Sequence, residues 1–356
     1  MALALSLGRR GRGRVWPNPA VGCVIVKDGR LLGRGWTGDG GRPHAETQAL
    51  AQAGAAARGA DVFVTLEPCA HHGRTPPCAA ALVAAGVGRV VVACGDPDPR
   101  VAGRGLAMLR AAGIAVATGV MEAEARADHA GFLRRVTEGR PFVTLKLAAT
   151  LDGRIATAAG ESRWITGAGA RRMVHALRAC HDAVMVGGGT ARADDPALTV
   201  RDIGATLQPV RVVVSRGMDL PGEGQLARTA REVPVWVAHD AHLAAATVAG
   251  WAARGVEGLA CPVEGGQVAP GAVMAALAER GITRVFCEGG GALGASLLAA
   301  DLVDEVVMFG AGMVIGAEGR PMIGAMGVER LAEAPRLRLV ELRDLGGDVM
   351  SRWERV

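Results

Sequence analysis

Short apolar runs alternate with helix-length segments over the first 140 residues of this 356-residue chain. Val21–Val26 reads as a strand, and Lys27-Asp28-Gly29-Arg30 as a hairpin turn into a second strand. His44–Ala57 reads as an Ala-rich helix and Asp61–Leu66 as a strand. Cys78–Ala85 is a helix stopped by Gly86, and Arg89–Cys94 a strand. Helix Gly103–Ala112, strand Ile114–Thr118 and helix Glu122–Arg135 complete the series. Strands alternating with helices predict a largely parallel sheet covered on both faces, made mixed by the first hairpin.

Gly139-Arg140-Pro141 marks a junction, so two domains are expected, 1–140 and 141–356. A second strand series opens with Phe142–Ala148. It continues at Ala183–Val186, Val210–Val214, Val235–Ala238, Arg284–Cys287 and Glu305–Phe309. Helices are expected at Gly169–Ala179, Gly271–Arg280 and Ala292–Ala300, and Leu337–Trp353 alternates like an antiparallel hairpin.

Composition narrows the partners. Half the residues are hydrophobic, enough for two cores, yet Tyr is absent and Phe numbers five. That argues against single-stranded nucleic acid, whose binding leans on aromatic stacking. A net charge of +5, spread mostly over dispersed Arg, suits a phosphorylated small molecule. Arg9, Arg10, Arg12 and Arg14 follow the apolar Met1–Leu7, the reverse of the order in a secretory signal. No apolar run reaches the ~18 residues of a membrane span; Ala79–Cys94 is broken by Arg89. Seven cysteines are an odd number, spread through a chain in which no signal sequence is read, which predicts the cytoplasm and reduced thiols. Cys23, Cys94, Cys180, Cys261 and Cys287 read as core packing.

The candidate chemistry lies in His44-Ala45-Glu46 and in Pro68-Cys69 followed, after eight intervening residues, by Cys78. One His and two Cys hold zinc and leave a coordination position open, as a catalytic site requires. Glu46, two residues from the His, is free to move protons. The set corresponds to H-x-E…P-C-x-x-C of zinc deaminases acting on nucleobases, with a longer Cys-x8-Cys spacer. Helix starts and strand ends converge on one side of an open α/β sheet, so the three ligands can meet there. The competing reading is a structural zinc with His71 or His72 as fourth ligand, or no metal. Otherwise His71, His72 and Arg74 line the spacer loop and meet a polar substrate.

The chain resembles the bacterial bifunctional riboflavin-biosynthesis proteins, in which a pyrimidine deaminase is fused to a reductase. The first half carries the resemblance in Pro17-Asn18-Pro19, Val21-Gly22-Cys23, His44-Ala45-Glu46, the stretch Thr65 to Cys78, Asp96-Pro97 and Val101 to Gly105. It implies a cytidine-deaminase-like α/β domain with a mixed sheet and helices on both faces. It also implies one zinc on His44, Cys69 and Cys78, with Glu46 as catalytic proton shuttle and Asn18 at the pyrimidine.

From Phe142 the chain resembles the family's dihydrofolate-reductase-like half, an α/β domain. The matches are Lys146 to Arg154, Ser162 to Thr166, Leu177-Arg178-Ala179, Asp182-Ala183, Gly187 to Arg201 and Glu288 to Gly291. The resemblance implies a nicotinamide cofactor at Ala148, Trp164, Thr190, Asp194 and Gly290, Gly291, Ala292, Leu293, Gly294, Ala295 and Ser296. It implies a phosphorylated sugar substrate at Ser162, Arg178, Leu198, Arg201 and Glu288. Arg178 and Arg201 suit phosphate because guanidinium pairs with it bidentately. The glycine clusters after apolar strands let backbone N–H groups approach phosphate.

Two departures stand out. Gly291-Ala292 replaces the family's usual Pro-Thr, and Ser215-Arg216 stands where an Asp follows the strand. A cation near the adenosine ribose favours a 2′-phosphate, so Arg216 is expected at the cofactor and NADPH is expected over NADH. The implied reactions are deamination of a diamino-ribosylamino-pyrimidinone phosphate, then reduction of its ribosyl group to ribityl. The family suggests a homo-oligomer assembled through the reductase half. A deaminase acting on another nucleoside or on nucleic acid, and a non-catalytic zinc-stabilised nucleotide-binding scaffold, are the rivals. The long spacer and the attached reductase half oppose the first, and the intact His44/Glu46 pair opposes the second.

Overall fold

The structure is a computed structural model that describes residues 1–71 and 76–356. It divides into two compact units, Met1–Arg140 and Pro141–Val356.

In the first unit α1 (Ala2–Gly8) precedes the hairpin β1 (Gly22–Lys27) and β2 (Arg30–Trp36). Then follow α2 (Ala45–Ala53), β3 (Asp61–Leu66), α3 (Cys78–Ala85), β4 (Arg89–Cys94), α4 (Arg104–Ala111), β5 (Ala115–Thr118) and α5 (Glu122–Glu138). The sheet order is β2-β1-β3-β4-β5. β1 runs antiparallel to both neighbours, and only β3, β4 and β5 are mutually parallel. The sheet is therefore mixed rather than largely parallel, because the hairpin strand is inserted beside β3. The period-two pattern of β1 explains the layers. Cys23 and Ile25 join the core with Ala45, Ala49 and Leu82, while Val24 packs with Ala4 and Leu7 of α1 on the other face. The helix expected over His44–Ala57 ends at Ala53, where Gly54 turns to φ +54, and residues Gly54–Ala57 form a 3-10 turn.

In the second unit β6 (Phe142–Thr150), β7 (Arg154–Ala156), α6 (Ala168–Ala179), β8 (Ala183–Gly187), α7 (Gly188–Asp194) and β9 (Val210–Val214) come first. Next are α8 (Gln225–Arg228), β10 (Val235–Asp240), α9 (Ala245–Ala252), β11 (Val256–Cys261), β12 (Val263–Glu264), β13 (Gln267–Val268) and α10 (Pro270–Glu279). The chain closes with β14 (Arg284–Cys287), α11 (Gly291–Ala299), β15 (Glu305–Ala311), β16 (Arg320–Pro321) and the hairpin β17 (Leu337–Asp344) and β18 (Asp348–Arg355). Nine strands form one sheet in the order β11-β10-β9-β8-β14-β6-β15-β18-β17. The pairings from β11 to β15 are parallel, and the terminal hairpin adds antiparallel. β8, β14 and β6 are buried apolar runs at its centre, as strands covered on both faces must be.

One expectation about the core is corrected. Cys23, Cys94, Cys261 and Cys287 are buried, but Cys180 is exposed. It caps the C-terminus of α6 and lies past the helix's inward face. No helix among the described residues is long and apolar enough to cross a membrane.

Candidate functional site

The first site is built where α2 and α3 begin. His44 is the N-cap of α2, in extended conformation, so its ring leaves the helix and turns to the thiols. Its Nδ1 lies 3.2 Å from Cys78 Sγ and 3.7 Å from Cys69 Sγ. The three donor atoms lie within 4.8 Å of one another and form the metal-competent group found among the described residues. Soft thiolates with imidazole are a donor set for zinc, so the residues fit the ion. The Cys78 backbone N–H donates to Cys69 Sγ at 3.3 Å. The Cys78 thiol, His44 and that N–H outweigh burial and hold the Cys69 thiol at about 4, while Cys78, which shares its proton, is pushed up.

Two close contacts fix this geometry. A Cβ on Gly33 would stand 2.1 Å from Ala49 O, and one on Gly35 2.3 Å from Ala45 O. Glycine there lets α2 lie directly on β2, which sets where His44 and Glu46 sit. Glu67, at the end of β3, accepts the N–H groups of Gly103 (3.1 Å) and Gly105 (3.0 Å) and so caps α4. The Pro68-Cys69 turn is thereby tied to a helix start. Glu67 lies within the stretch Thr65 to Cys78, and a Glu directly after an apolar strand is the sequence signal for this role.

Glu46 is 4% exposed. Burial pushes its carboxyl up, against its backbone hydrogen bond, and it meets the Cys78 thiol. A cavity of about 880 Å³ opens beside it, lined by Asn18, His44, Glu46, Cys69, His71 and Asp96 among others. Asn18 lies against Gly41, whose φ of +89 and missing side chain admit the amide. Asp96 accepts the Asp98 N–H at 2.8 Å, and burial pushes its carboxyl up to about 6. His72 and Arg74 lie outside the described residues.

The second site lies over the C-terminal ends of β6, β8 and β14, the central strands of the larger sheet. A cavity of about 470 Å³ there brings together Ala148, Ser162, Trp164, Arg178, Thr190, Asp194, Leu198, Arg201 and Glu288. Trp164 is 68% exposed, so it does not fill core. Glu288 is largely buried and paired rather than a surface acid: Arg178 Nε and Nη2 donate to its oxygens at 2.5 and 3.0 Å. Burial raises the Glu288 carboxyl, but Arg178, with Lys146 and His175, outweighs it and holds the group below the ordinary value. Lys146 and His175 also line the cavity and were not singled out as site residues. Lys146 interrupts an apolar strand, which is the signal that could have found it. Burial lowers its pKa.

The glycine turns adjoin. A Cβ on Gly290 would be 3.5 Å from Thr190 Oγ1, and one on Gly187 3.8 Å from Leu293 Cβ. Gly189 faces open space. Bare backbone at two neighbouring helix starts fits the phosphates of a dinucleotide. Gly291 packs on Pro321, Met322 and Gly324 instead of facing the cavity, and the Gly324 N–H donates to its carbonyl at 2.9 Å. The residues from Gly290 to Ser296 do not line the cavity. Nor does Arg216, which is exposed and donates to Gly266 O at 3.0 Å. Arg192, paired with Asp219, comes closer to the start of α7, with Nη1 3.3 Å from a Cβ placed on Gly188.

Comparison with known proteins agrees with both halves. Residues 1–94 match the cytidine and deoxycytidylate deaminase zinc-binding region, and residues 141–351 match the RibD C-terminal domain. The riboflavin biosynthesis protein RibD of Escherichia coli is 43% identical, over 98% of this chain and 96% of its own. That of Bacillus amyloliquefaciens is 38% identical, over 98% and 94%. Among solved structures, Acinetobacter baumannii RibD superposes with a TM-score of 0.89 at 40% identity, covering 100% of this chain and 97% of its own. A diaminohydroxyphosphoribosylaminopyrimidine deaminase/5-amino-6-(5-phosphoribosylamino)uracil reductase from Thermotoga maritima gives 0.87 at 34% identity, with the same coverage. Fold, donor set and matches define an enzyme that joins a zinc deaminase to a reductase. The chain belongs to the RibD family of riboflavin biosynthesis proteins.

Proposed function

We propose that the chain performs two consecutive steps of riboflavin biosynthesis, with residues 1–140 as the deaminase domain and 141–356 as the reductase domain. The first step removes the amino group of 2,5-diamino-6-ribosylamino-4(3H)-pyrimidinone 5′-phosphate by hydrolysis. The second reduces the ribosyl group of 5-amino-6-(5-phosphoribosylamino)uracil to ribityl with NADPH. The observation that carries the reading is the buried, non-ligand Glu46 beside the His44, Cys69 and Cys78 donors.

Those three residues would hold zinc, which when bound would act as a Lewis acid and lower the pKa of a water toward neutrality. Glu46 takes up a proton at its carboxylate and delivers it to the leaving ammonia. Its burial favours the protonated form, which suits a group that must hold a proton between two transfers. Asn18 orients the pyrimidine from the cavity wall.

In the reductase domain Ala148, Trp164, Thr190, Asp194, Arg216 and the turn from Gly290 through Gly291, Ala292, Leu293, Gly294 and Ala295 to Ser296 hold NADPH, which supplies hydride. Ser162, Arg178, Leu198, Arg201 and Glu288 hold the sugar phosphate. Lys146 Nζ and the Glu288 carboxylate, set together in the cavity, are the groups available to manage protons at the sugar. The chain is read as a cytoplasmic homo-oligomer that binds no nucleic acid, assembled through the reductase domain, whose edge strand β17 leaves Leu342 66% exposed.

Glu46→Gln tests the first assignment. The variant loses ammonia release, keeps one zinc per chain by elemental analysis, and still oxidises NADPH when given the deaminated substrate. Surviving deamination would remove Glu46 from the mechanism.

A further inference from the structure

Two side chains on α6, one turn apart, engage the segment Thr199–Arg201. Arg178 Nη1 donates to the Thr199 carbonyl at 2.8 Å, and the Arg201 backbone N–H donates to His175 Nδ1 at 3.2 Å. Gln208 holds the residue between them, accepting the Val200 N–H at 2.7 Å and donating to its carbonyl at 3.1 Å. The segment runs between two non-glycine residues at positive φ, Leu198 at +54 and Asp202 at +63. Such conformations persist where the surroundings over-determine them, and here side chains do so.

An imidazole that accepts at Nδ1 carries its proton on Nε2 and is neutral. Its surroundings agree: burial, then Arg178 and Arg201, lower the His175 pKa against Glu288 and Asp202. His175 lines the cavity together with Ser162, Arg178 and Arg201, and Nε2–H has no acceptor among the described residues. Arg178, by contrast, spends three of its N–H groups on Glu288 and Thr199. The cavity therefore holds an oriented, unused neutral donor beside two guanidinium groups.

We propose that His175 is a further phosphate-binding residue of the reductase domain: Nδ1 is locked by the Arg201 N–H, and Nε2–H donates to the substrate's 5′-phosphate. The proposal rests on the reading of this cavity as the sugar-phosphate site. A phosphate here could also come from the cofactor, so the test separates the two.

Kinetics are measured with His175→Ala and His175→Gln. The alanine variant raises KM for the phosphorylated ribosylaminouracil about tenfold, the scale of one hydrogen bond to a charged group. Its kcat stays near the wild-type value, and neither KM for NADPH nor kcat/KM for the dephosphorylated compound changes. Glutamine restores KM, because its amide both accepts and donates. Nitrogen-15 spectra of histidine-labelled protein, with His175→Gln used for assignment, show His175 protonated at Nε2 and that nitrogen shifting when inorganic phosphate is added. Equal losses with phosphorylated and dephosphorylated substrate, a change confined to NADPH, or a His175 protonated at Nδ1 would each overturn the proposal. A wild-type protein whose His175 responds to phosphate but which does not oxidise NADPH with this substrate keeps the phosphate site and overturns the substrate reading instead.

Discussion

Arg178 and Glu288 form a two-pronged ion pair in the wall of the reductase cavity, with side chains only 12% and 9% exposed. The sequence places both at the substrate without pairing them. The pair means that each neutralises the other's charge, and that neither can be removed alone without leaving a largely buried charge unpaired.

Glu288→Gln is accordingly expected to destabilise the reductase domain by about 3 kcal/mol, the usual cost of breaking a buried pair from one side. Urea unfolding measures it, and ammonia release should persist under native conditions. The sign with pH follows from the depressed Glu288 value. The pair's contribution is present above the ordinary glutamate pKa of about 4.3 and is lost as pH falls through the lower folded value. The stability gap between wild type and variant should therefore close in acid.

Gly35→Ala tests how α2 is seated. Its Cβ would stand 2.3 Å from Ala45 O, a backbone atom that cannot rotate away. The helix must shift, at a cost of about 1–3 kcal/mol for overpacking. Because His44 and Glu46 ride on its first turn, deamination should fall at least as steeply as stability, while NADPH oxidation with the deaminated substrate stays unchanged.

Asp96→Asn should behave in the opposite sense. Burial, with Asp98 and Glu67 nearby, pushes the Asp96 carboxyl up to about 6, although the Asp98 N–H opposes it. A carboxyl raised on folding weakens the folded state wherever it is ionised in both states. That penalty is fully present above the folded value and fades as pH falls toward the unfolded value of about 3.9. Because Asp96 is only half-buried, the gain for asparagine is discounted to about 1 kcal/mol. Melting temperatures of the substrate-free protein should show it at pH 7.5 and lose it near pH 4.

Cofactor choice separates two arginines. Arg216 is assigned the 2′-phosphate, yet Arg192 stands nearer the start of α7. If Arg216 has that role, Arg216→Ala lowers kcat/KM for NADPH about tenfold and leaves NADH unaffected, and Arg192→Ala does neither. The reverse result would move the 2′-phosphate to Arg192.

Much of this fold could be read from the chain, for identifiable reasons. Asp61–Leu66, Cys78–Ala85, Arg89–Cys94, Val210–Val214 and Arg284–Cys287 have the bounds expected of them, because each is an apolar run closed by a sharp polar or glycine boundary. Apolar character alone did not announce α9 or β11: Ala244 to Gly255 is Ala-rich without a clear stripe, and β11 is an edge strand with alternating exposure. The metal-competent group His44, Cys69 and Cys78 was legible because metal ligation demands particular residue types. His175 was not, and Lys146 and Glu67 carried only a local hint, since their roles come from what the fold sets opposite them. The Arg178–Glu288 pair spans 110 positions, and nothing local to either residue announces the other.

The central claim is that one chain carries both reactions. The most direct measurement is a single assay of the purified, zinc-loaded protein with the diamino-ribosylamino-pyrimidinone phosphate, following ammonia release and NADPH oxidation together. Ammonia should appear with or without NADPH, and NADPH should be consumed only as deaminated product forms. NADPH consumption that does not depend on deamination, or no ammonia from a folded protein holding one zinc per chain, would contradict the account.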